Sequence, residues 1–305
     1  MREDWAAAAR DVIERELGPL QATNVFHTWG PTIVLGAEPA AGPSAVLKAS
    51  AAQNVAIEAA ACERARAAGV PTAEILAGGA DPRLPGERWF LMTRVRGRRW
   101  NENRFEQPGE LAILEQLAGH FRTLHAVRLS GYGRLTEAGS GDHDSWTAWL
   151  ADGFSDSADP LIAAGQLSAE FRGLVDDVLS AMEPLLATRP GALIHGDLGD
   201  GEIYVDPSTA TITGLVDWGA AVVGDPLYEF ARFVAGGPVD DWRPVAYRPP
   251  LLDFYGGPRG GDEQALADLY DAYNAIENAN WSLVEGYDWT DSLCAKGLGL
   301  LRGLR

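Results

Sequence analysis

At 305 residues with a formal net charge of −18, the chain can bury a large core without covalent staples, and it lacks the basic face that a nucleic-acid partner requires. Its two cysteines, Cys62 and Cys294, lie far apart and outside any Cys/His cluster, which argues against a disulfide framework or a zinc site. No apolar run reaches the roughly 18 to 20 residues of a bilayer span, and the opening MREDWAAAARDVIEREL has no secretion-signal pattern, so a cytoplasmic protein without a membrane partner is expected.

A first helix is predicted over about residues 3–17, stopped by Gly18-Pro19. Short apolar runs, QATNVFHTW, TIVLGAE and SAVLKAS, then alternate with glycine and proline turns, as in an antiparallel meander. NVAIEAAACERARAAG reads as one helix ended by Gly69-Val70-Pro71. AEILAGG and ERWFLMTRV complete a five-stranded sheet with one helix packed on it. After RVRG, helical spacing takes over at 108–127, 167–187 and 262–285, with short strands near ALIHGD, EIYVD and TGLVDW. The expected class is α+β in two lobes: residues 1–95 carry a small antiparallel sheet, and residues 96–305 are mainly helical.

Lysine is nearly absent, being kept only at positions 48 and 296. Lys48 sits in an apolar run ten residues before Glu58 in the next helix, a pairing able to hold an ammonium against the α and β phosphates of a nucleotide. Glu63 is the competing partner. The run GALI delivers His195-Gly196-Asp197 to a strand-end turn, where a carboxylate can orient a hydroxyl and accept its proton late. ITGLV ends in Asp217-Trp218-Gly219, a second strand-end carboxylate suited to Mg²⁺. A lone turn aspartate is ordinarily a backbone cap; two of them twenty residues apart favour phosphoryl transfer. Asp225, Pro226 and Glu229 in GDPLYEFARF have the order of a helix start, and His125 is expected to pack beneath the turn that His195 orders. Neither lysine lies in a Walker loop, and no serine elbow or zinc helix is present.

The order Lys, helix Glu, LHAV, HGDLGDG, DWG, GDPLYEFA resembles the aminoglycoside phosphotransferase family, small-molecule kinases related to the eukaryotic protein kinases. GVPTAEIL, FLMTRVRG, GYGRL and SWTAWL extend the resemblance over nearly the whole chain. It implies a bilobal protein-kinase-like fold and transfer of the γ-phosphate of ATP, with GTP as an alternative donor, to a hydroxyl of a small molecule, assisted by Mg²⁺. By the same resemblance Asp197 is the catalytic base and Asp217 the main metal ligand, while Lys48 and Glu58 hold the phosphates. Thr93, Arg94 and Val95 would offer backbone hydrogen bonds to the adenine. FHTWGPTIVLG would cover the phosphates, but it lacks a G-x-G-x-x-G and assigns no residue.

The family pattern places asparagine where this chain has Glu202. Two unit charges about 4 Å apart interact by roughly 4 kcal/mol at an effective dielectric near 20, favourably toward Mg²⁺ and unfavourably toward Asp217 and a triphosphate. Glu202 therefore serves as an anionic metal ligand, turns away, or leaves a weakened nucleotide binder. The acidic, tryptophan-bearing segments GDHDSWTAWLADGFSDSADP and YNAIENANWSLVEGYDW suit a cationic acceptor, through carboxylate pairing and cation–π contact. Asp144, Trp146, Asp200, Glu277, Trp281 and Glu285 are the candidate acceptor residues. An aminoglycoside or basic peptide antibiotic is the first expectation for substrate; a metabolic amine, sugar or amino-alcohol kinase and a regulatory pseudokinase are the rivals.

Overall fold

Alternation along two strands decides how the first lobe is built. The structure, a computed structural model, describes residues 2–27, 30–233 and 244–305. Helix α1 (Arg2–Leu17) is followed by β1 (Leu20–His27), β2 (Thr32–Pro39), β3 (Ala45–Ser50), α2 (Val55–Ala68), β4 (Ile75–Ala80) and β5 (Arg88–Thr93). The strands form one antiparallel sheet in the order β1-β2-β3-β5-β4, with β3 at its centre. Ile33, Leu35 and Ala37 of β2 and Ala45, Leu47 and Ala49 of β3 are buried against Ala8, Ala9, Val12 and Ile13 of α1. The period of two then sends Val46, Lys48 and Ser50 to the opposite face. There α2 packs, capped at its start by Asn54 and closed at Gly69. The sheet thus carries a helix on each face, one more than the sequence predicted, because α1 also returns to cover it. All six residues of β3 are buried as a result.

The chain leaves this sheet after Thr93 and pairs its next strand, β6 (Arg98–Arg99), with a strand of the second lobe. Gly97 makes the crossing with φ +102°, and a Cβ there would lie 2.4 Å from the Val205 carbonyl oxygen, so the site requires glycine. The second lobe runs α3 (Gln107–His125), β7 (Tyr132–Leu135), β8 (Gly141–His143), α4 (Trp146–Ala163), α5 (Glu170–Leu186) and β9 (Ala192–Ile194). It continues with β10 (Ile203–Asp206), β11 (Thr211–Leu215), β12 (Val222–Gly224), α6 (Tyr228–Arg232), α7 (Pro244–Tyr255), α8 (Gly260–Glu285) and α9 (Thr290–Gly303). Two small sheets, ordered β11-β10-β6 and β8-β7-β12-β9, are set among the helices. The core is aromatic, with Trp100, Phe121, Trp146, Phe154, Trp218, Phe230 and Tyr270 fully or almost fully buried. No helix among the described residues is long and apolar enough to cross a membrane. Cys62 and Cys294 are both free and buried.

If α1 is part of the lobe rather than an appendage, Ile13→Ala should lower unfolding free energy by about 2–5 kcal/mol, as for other fully buried large-to-small changes. Urea unfolding followed by tryptophan fluorescence measures this, and an unchanged midpoint would show that the helix does not hold the sheet.

Candidate active site

Lys48 enters from the face of β3 that the packing of Leu47 and Ala49 leaves to it. Its Nζ lies 2.9 and 2.8 Å from the two carboxylate oxygens of Glu58 on α2, and 2.8 Å from Oδ1 of Asp217 in the second lobe. The competing Glu63 is exposed on α2 and takes no part. Burial by itself would lower the pKa of Lys48, but Glu58 and Asp217 outweigh it and hold the ammonium above the usual lysine value. Burial pushes the Glu58 carboxyl up to about 7 against the pull of Lys48. Partial burial would raise Asp217 as well, yet Lys48 brings it below the ordinary aspartate value. The Asp217 side chain remains 52% exposed, so this charge opens on the cleft while Lys48 and Glu58 are sealed behind it.

Strand register brings the remaining acids together. Ile203 of β10 stands opposite Leu215 of β11, and the Val216 amide donates to the Glu202 carbonyl at 3.0 Å, so Glu202 and Asp217 leave the same end of one hairpin. Asp217 adopts a left-handed φ of 66°, unusual for a residue with a side chain. His195 follows β9 and is fully buried; its Nε2 donates to the Val216 carbonyl at 3.0 Å, tying the His-Gly-Asp turn to the segment that carries Asp217. Gly196 takes φ +79°, and a Cβ would lie 2.3 Å from the Ala220 carbonyl oxygen, which leaves glycine the residue that fits before Asp197. Asp197 itself projects with its side chain 69% exposed.

The turn is gripped from behind by α6. Glu229, fully buried, accepts the amide protons of His195 and Gly196 at 2.7 and 3.3 Å. Burial would raise the Glu229 pKa, but His125, whose Nε2 is 3.6 Å away, helps bring it below the ordinary glutamate value. Asp225 accepts a backbone bond from Leu227, a bidentate pair from Arg189 and the Tyr270 hydroxyl, so it anchors the helix start from full burial. The helix begins at Tyr228, later than Pro226, since Pro226 and Leu227 form the preceding turn.

Glu202 does not point to bulk solvent. Its Oε2 accepts the Gly199 amide at 3.0 Å, and burial together with the charges of Asp197 and Asp217 pushes its carboxyl up to about 7. A group raised by neighbouring anions gains most from a cation placed among them. Among the described residues no three metal-ligating side chains form a preset cluster. Mg²⁺ fits such a site, because it binds through one or two carboxylates and takes its other ligands from waters and substrate phosphates. Asp217 and Glu202 are the residues here that could hold it.

Two of the amides in the segment expected to meet the adenine are taken up within the lobe. The Thr93 amide already donates to Glu74 O and the Arg94 amide to Ser44 O, both at 2.8 Å, because β5 is hydrogen-bonded within the lobe to its end. Val95 is the residue of the three with no such internal amide bond among the described residues. The acceptor candidates also divide. Trp146 is a core residue: its ring lies 4.5 Å from that of Trp149 and 5.5 Å from that of Tyr228, and its Nε1 donates to the Tyr270 hydroxyl at 2.9 Å, so no face is left for a ligand. Asp200 is buried and held by Arg104. Asp144 is exposed just ahead of α4, and Glu285 is exposed at the end of α8. Among the described residues no hydrogen bond joins either to the His-Gly-Asp turn. Trp281 is exposed on α8, grouped with Tyr287 and Trp289 at ring distances of 5.0 and 6.0 Å. Glu277 reaches Arg232, which touches the turn. Sequence reasoning missed Arg232; the available signal was a cation three residues after Glu229 on the same short helix. Thr28 and Trp29 of FHTWGPTIVLG lie outside the described residues.

A model of the phosphotransferase enzyme family matches residues 40–269. The aminoglycoside 3'-phosphotransferase of Streptomyces fradiae is 27% identical over 219 residues, covering 67% of this chain and 74% of that enzyme. Hygromycin-B 4-O-kinase of Escherichia coli is 27% identical over 142 residues, covering 44% of this chain and 38% of that enzyme. Among solved structures, a thermostable mutant of aminoglycoside phosphotransferase APH(4)-Ia in ternary complex with ADP and hygromycin B matches with a TM-score of 0.68. At 19% identity over 97% of this chain and 98% of that one, the likeness shows the fold, a bilobal kinase-like α+β architecture.

A Glu202 carboxyl at about 7, against 4.5 ordinarily, means that the folded protein holds a proton the unfolded chain has lost across that interval. This contribution to stability is complete below about pH 4.5 and disappears as pH rises through 7. Glu58 acts in the same window, so the difference between wild type and Glu202→Gln isolates the residue. Metal-free urea midpoints from pH 5 to 8 should fall less steeply for the variant; superimposable profiles would refute the raised carboxyl.

Proposed function

The chain belongs to the phosphotransferase enzyme family, and we propose that it moves the γ-phosphate of ATP, or of GTP, to a hydroxyl of a small cationic antibiotic, an aminoglycoside or basic peptide, and so confers resistance. The observation that carries this reading is the meeting of Lys48, Glu58 and Asp217 at one cleft, with Asp197 presented on a turn tied to the same segment. Residues 1–95 form the nucleotide-binding lobe and residues 96–305 supply the reacting acids and the acceptor site. A reducing cytoplasm, where ATP is available and unpaired thiols persist, is the compartment that this reading implies.

Lys48 pairs with the α and β phosphates when nucleotide enters, exchanging its contact with the half-exposed Asp217 for one with phosphate oxygens while Glu58 keeps the ammonium in place. Asp217 and Glu202 would hold Mg²⁺, which when bound would supply charge neutralisation at the phosphates. The Val95 amide is free to meet the purine edge. Asp197 orients the acceptor hydroxyl in line with the γ-phosphorus and takes its proton late, as the acceptor oxygen bonds to phosphorus and the bond to the β-phosphate oxygen breaks, releasing the nucleoside diphosphate. Such a transfer depends mainly on position and electrostatics, which is what the turn and hairpin provide.

The cationic acceptor is supported by the named activities of the relatives and by the acidic side chains left on the surface around α8. Glu277 and Trp281, one helical turn apart, and more distantly Asp144 and Glu285, remain in this role; Trp146 and Asp200 do not. A Mg²⁺-dependent nucleotide-consumption assay over aminoglycosides and cyclic basic peptides tests the reading. Turnover with choline or homoserine alone would replace it with a metabolic kinase, and nucleotide binding without turnover on any hydroxyl would indicate a pseudokinase.

Asp197→Ala should lower kcat by about 10²–10⁴-fold, the usual contribution of a positioned base, with nucleotide affinity kept. Single-turnover transfer and nucleotide titration together measure this, and a fully active variant would remove Asp197 from the mechanism.

A further inference from the structure

Arg232 is the part of this site that the phosphotransfer roles do not account for. It ends α6 with its side chain only 15% exposed, and each of its donor groups is directed at something different. Nε donates to the carbonyl of Gly196 at 2.8 Å. Nη2 lies 3.6 Å from Oδ1 of Asp197, too long for a hydrogen bond but close enough for strong attraction between opposite charges. Nη1 is fixed from the other side by α8, through Asn274 Oδ1 at 3.0 Å and the carboxylate of Glu277. Glu229, three residues earlier, takes the amides of His195 and Gly196. The peptide groups leading into Asp197 are therefore held at their N–H groups by one end of α6 and at a carbonyl by the other.

We infer that Arg232 is a positioning residue for the transfer: it aims the Asp197 carboxylate and links that aim to helix α8. The inference rests on the proposed role of Asp197 as base. Asp197 is otherwise a mostly exposed side chain, and a carboxylate free to turn would meet the acceptor hydroxyl only part of the time. A planar guanidinium suits the task because its fork can hold a backbone carbonyl, a helix and a carboxylate at fixed angles simultaneously. An ammonium at the same place keeps the charge but loses that geometry. The far anchor lies on the acceptor side: Glu277 is followed one turn later by the exposed Trp281, and side chains four apart on a helix share a face. An acceptor amine that pairs with Glu277 would bear directly on the group that aims the base.

Three readouts separate positioning from mere support of the fold. Arg232→Gln should lower kcat for transfer by about 10- to 100-fold, the scale of a displacement of about 1 Å at the reacting centre, with KM for nucleotide unchanged. Arg232→Lys should recover part of that loss because the attraction to Asp197 returns. In crystal structures, Asp197 should occupy one rotamer in the wild type and several in Arg232→Gln. Unchanged kcat in a folded Arg232→Gln protein, a loss confined to acceptor KM, or an undisturbed Asp197 rotamer would overturn the assignment. If Arg232→Gln does not fold, the decision passes to Arg232→Lys, where intact kcat with a single Asp197 rotamer also overturns it. Should the wild type phosphorylate no acceptor, the proposed function fails, while the rotamer comparison still decides the position of Arg232.

Discussion

A charged ammonium buried under a sheet must be neutralised where it stands, and the rest of the cleft follows from how this protein does so. Lys48 sits on the central strand of the first lobe, where its desolvation would be costly without partners. One partner, Glu58, comes from the helix laid across the sheet, and the other, Asp217, comes from the second lobe. A single cation thus fixes α2 against β3 and draws the hairpin end carrying Asp217 up to the sheet. The two carboxylates are not equivalent. Glu58 is sealed in with Lys48, whereas the half-exposed Asp217 would, in the transfer proposed above, give way to an incoming phosphate. The buried pair is the fixed part of the site and the open pair is the exchangeable one.

The second lobe solves a related problem with backbone rather than charge. Asp197 must stand exposed on a turn while that turn stays rigid, although exposed turns are ordinarily the mobile part of a structure. The structure meets this by burying everything around the aspartate: His195 below, bonded to Val216; Glu229 on the preceding amides; Arg232 on the Gly196 carbonyl. A glutamate early in a short helix would ordinarily be read as favouring the helix dipole. Here it is spent on two amides of another segment, a use that only the tertiary arrangement discloses.

Much of the site was legible because its residues are locally marked. Lys48 stands out by the scarcity of lysine, Asp197 and Asp217 by ending apolar runs, and Glu58 by following Lys48 into a helix that Gly69 ends. Which face Lys48 takes is shown by the folded sheet, where Leu47 and Ala49 are buried against α1. The misreadings share one cause, which is that composition does not give direction. Trp146 and Asp200 lie in acidic or loop-like segments, yet the first begins a helix that packs inward and the second is captured by Arg104, ninety-six residues earlier. The sequence also does not show that the amides of Thr93 and Arg94 are bonded within the lobe, to Glu74 and Ser44. Arg232 carried only the weak signal of a cation three residues after Glu229, because its meaning comes from Gly196, Asn274 and Glu277, which only the fold brings to it.

The preference for arginine across the chain explains why the one lysine in the cleft is informative. Where a cation here has to join fixed structural groups, it is an arginine acting through its planar fork: Arg189 grips both oxygens of Asp225, and Arg232 spans a carbonyl and α8. Geometry of that kind is specific and therefore poorly suited to changing partners. Lys48 does the reverse work. Its compact ammonium has no preferred plane, sits between Glu58 and Asp217 at nearly equal distances, and can rotate its protons toward a phosphate without dismantling the anchor on α2. Guanidinium in that position would lock the lobes together as Arg189 locks the start of α6. An ammonium leaves one of its three contacts exchangeable, as the nucleotide role proposed for Lys48 would require.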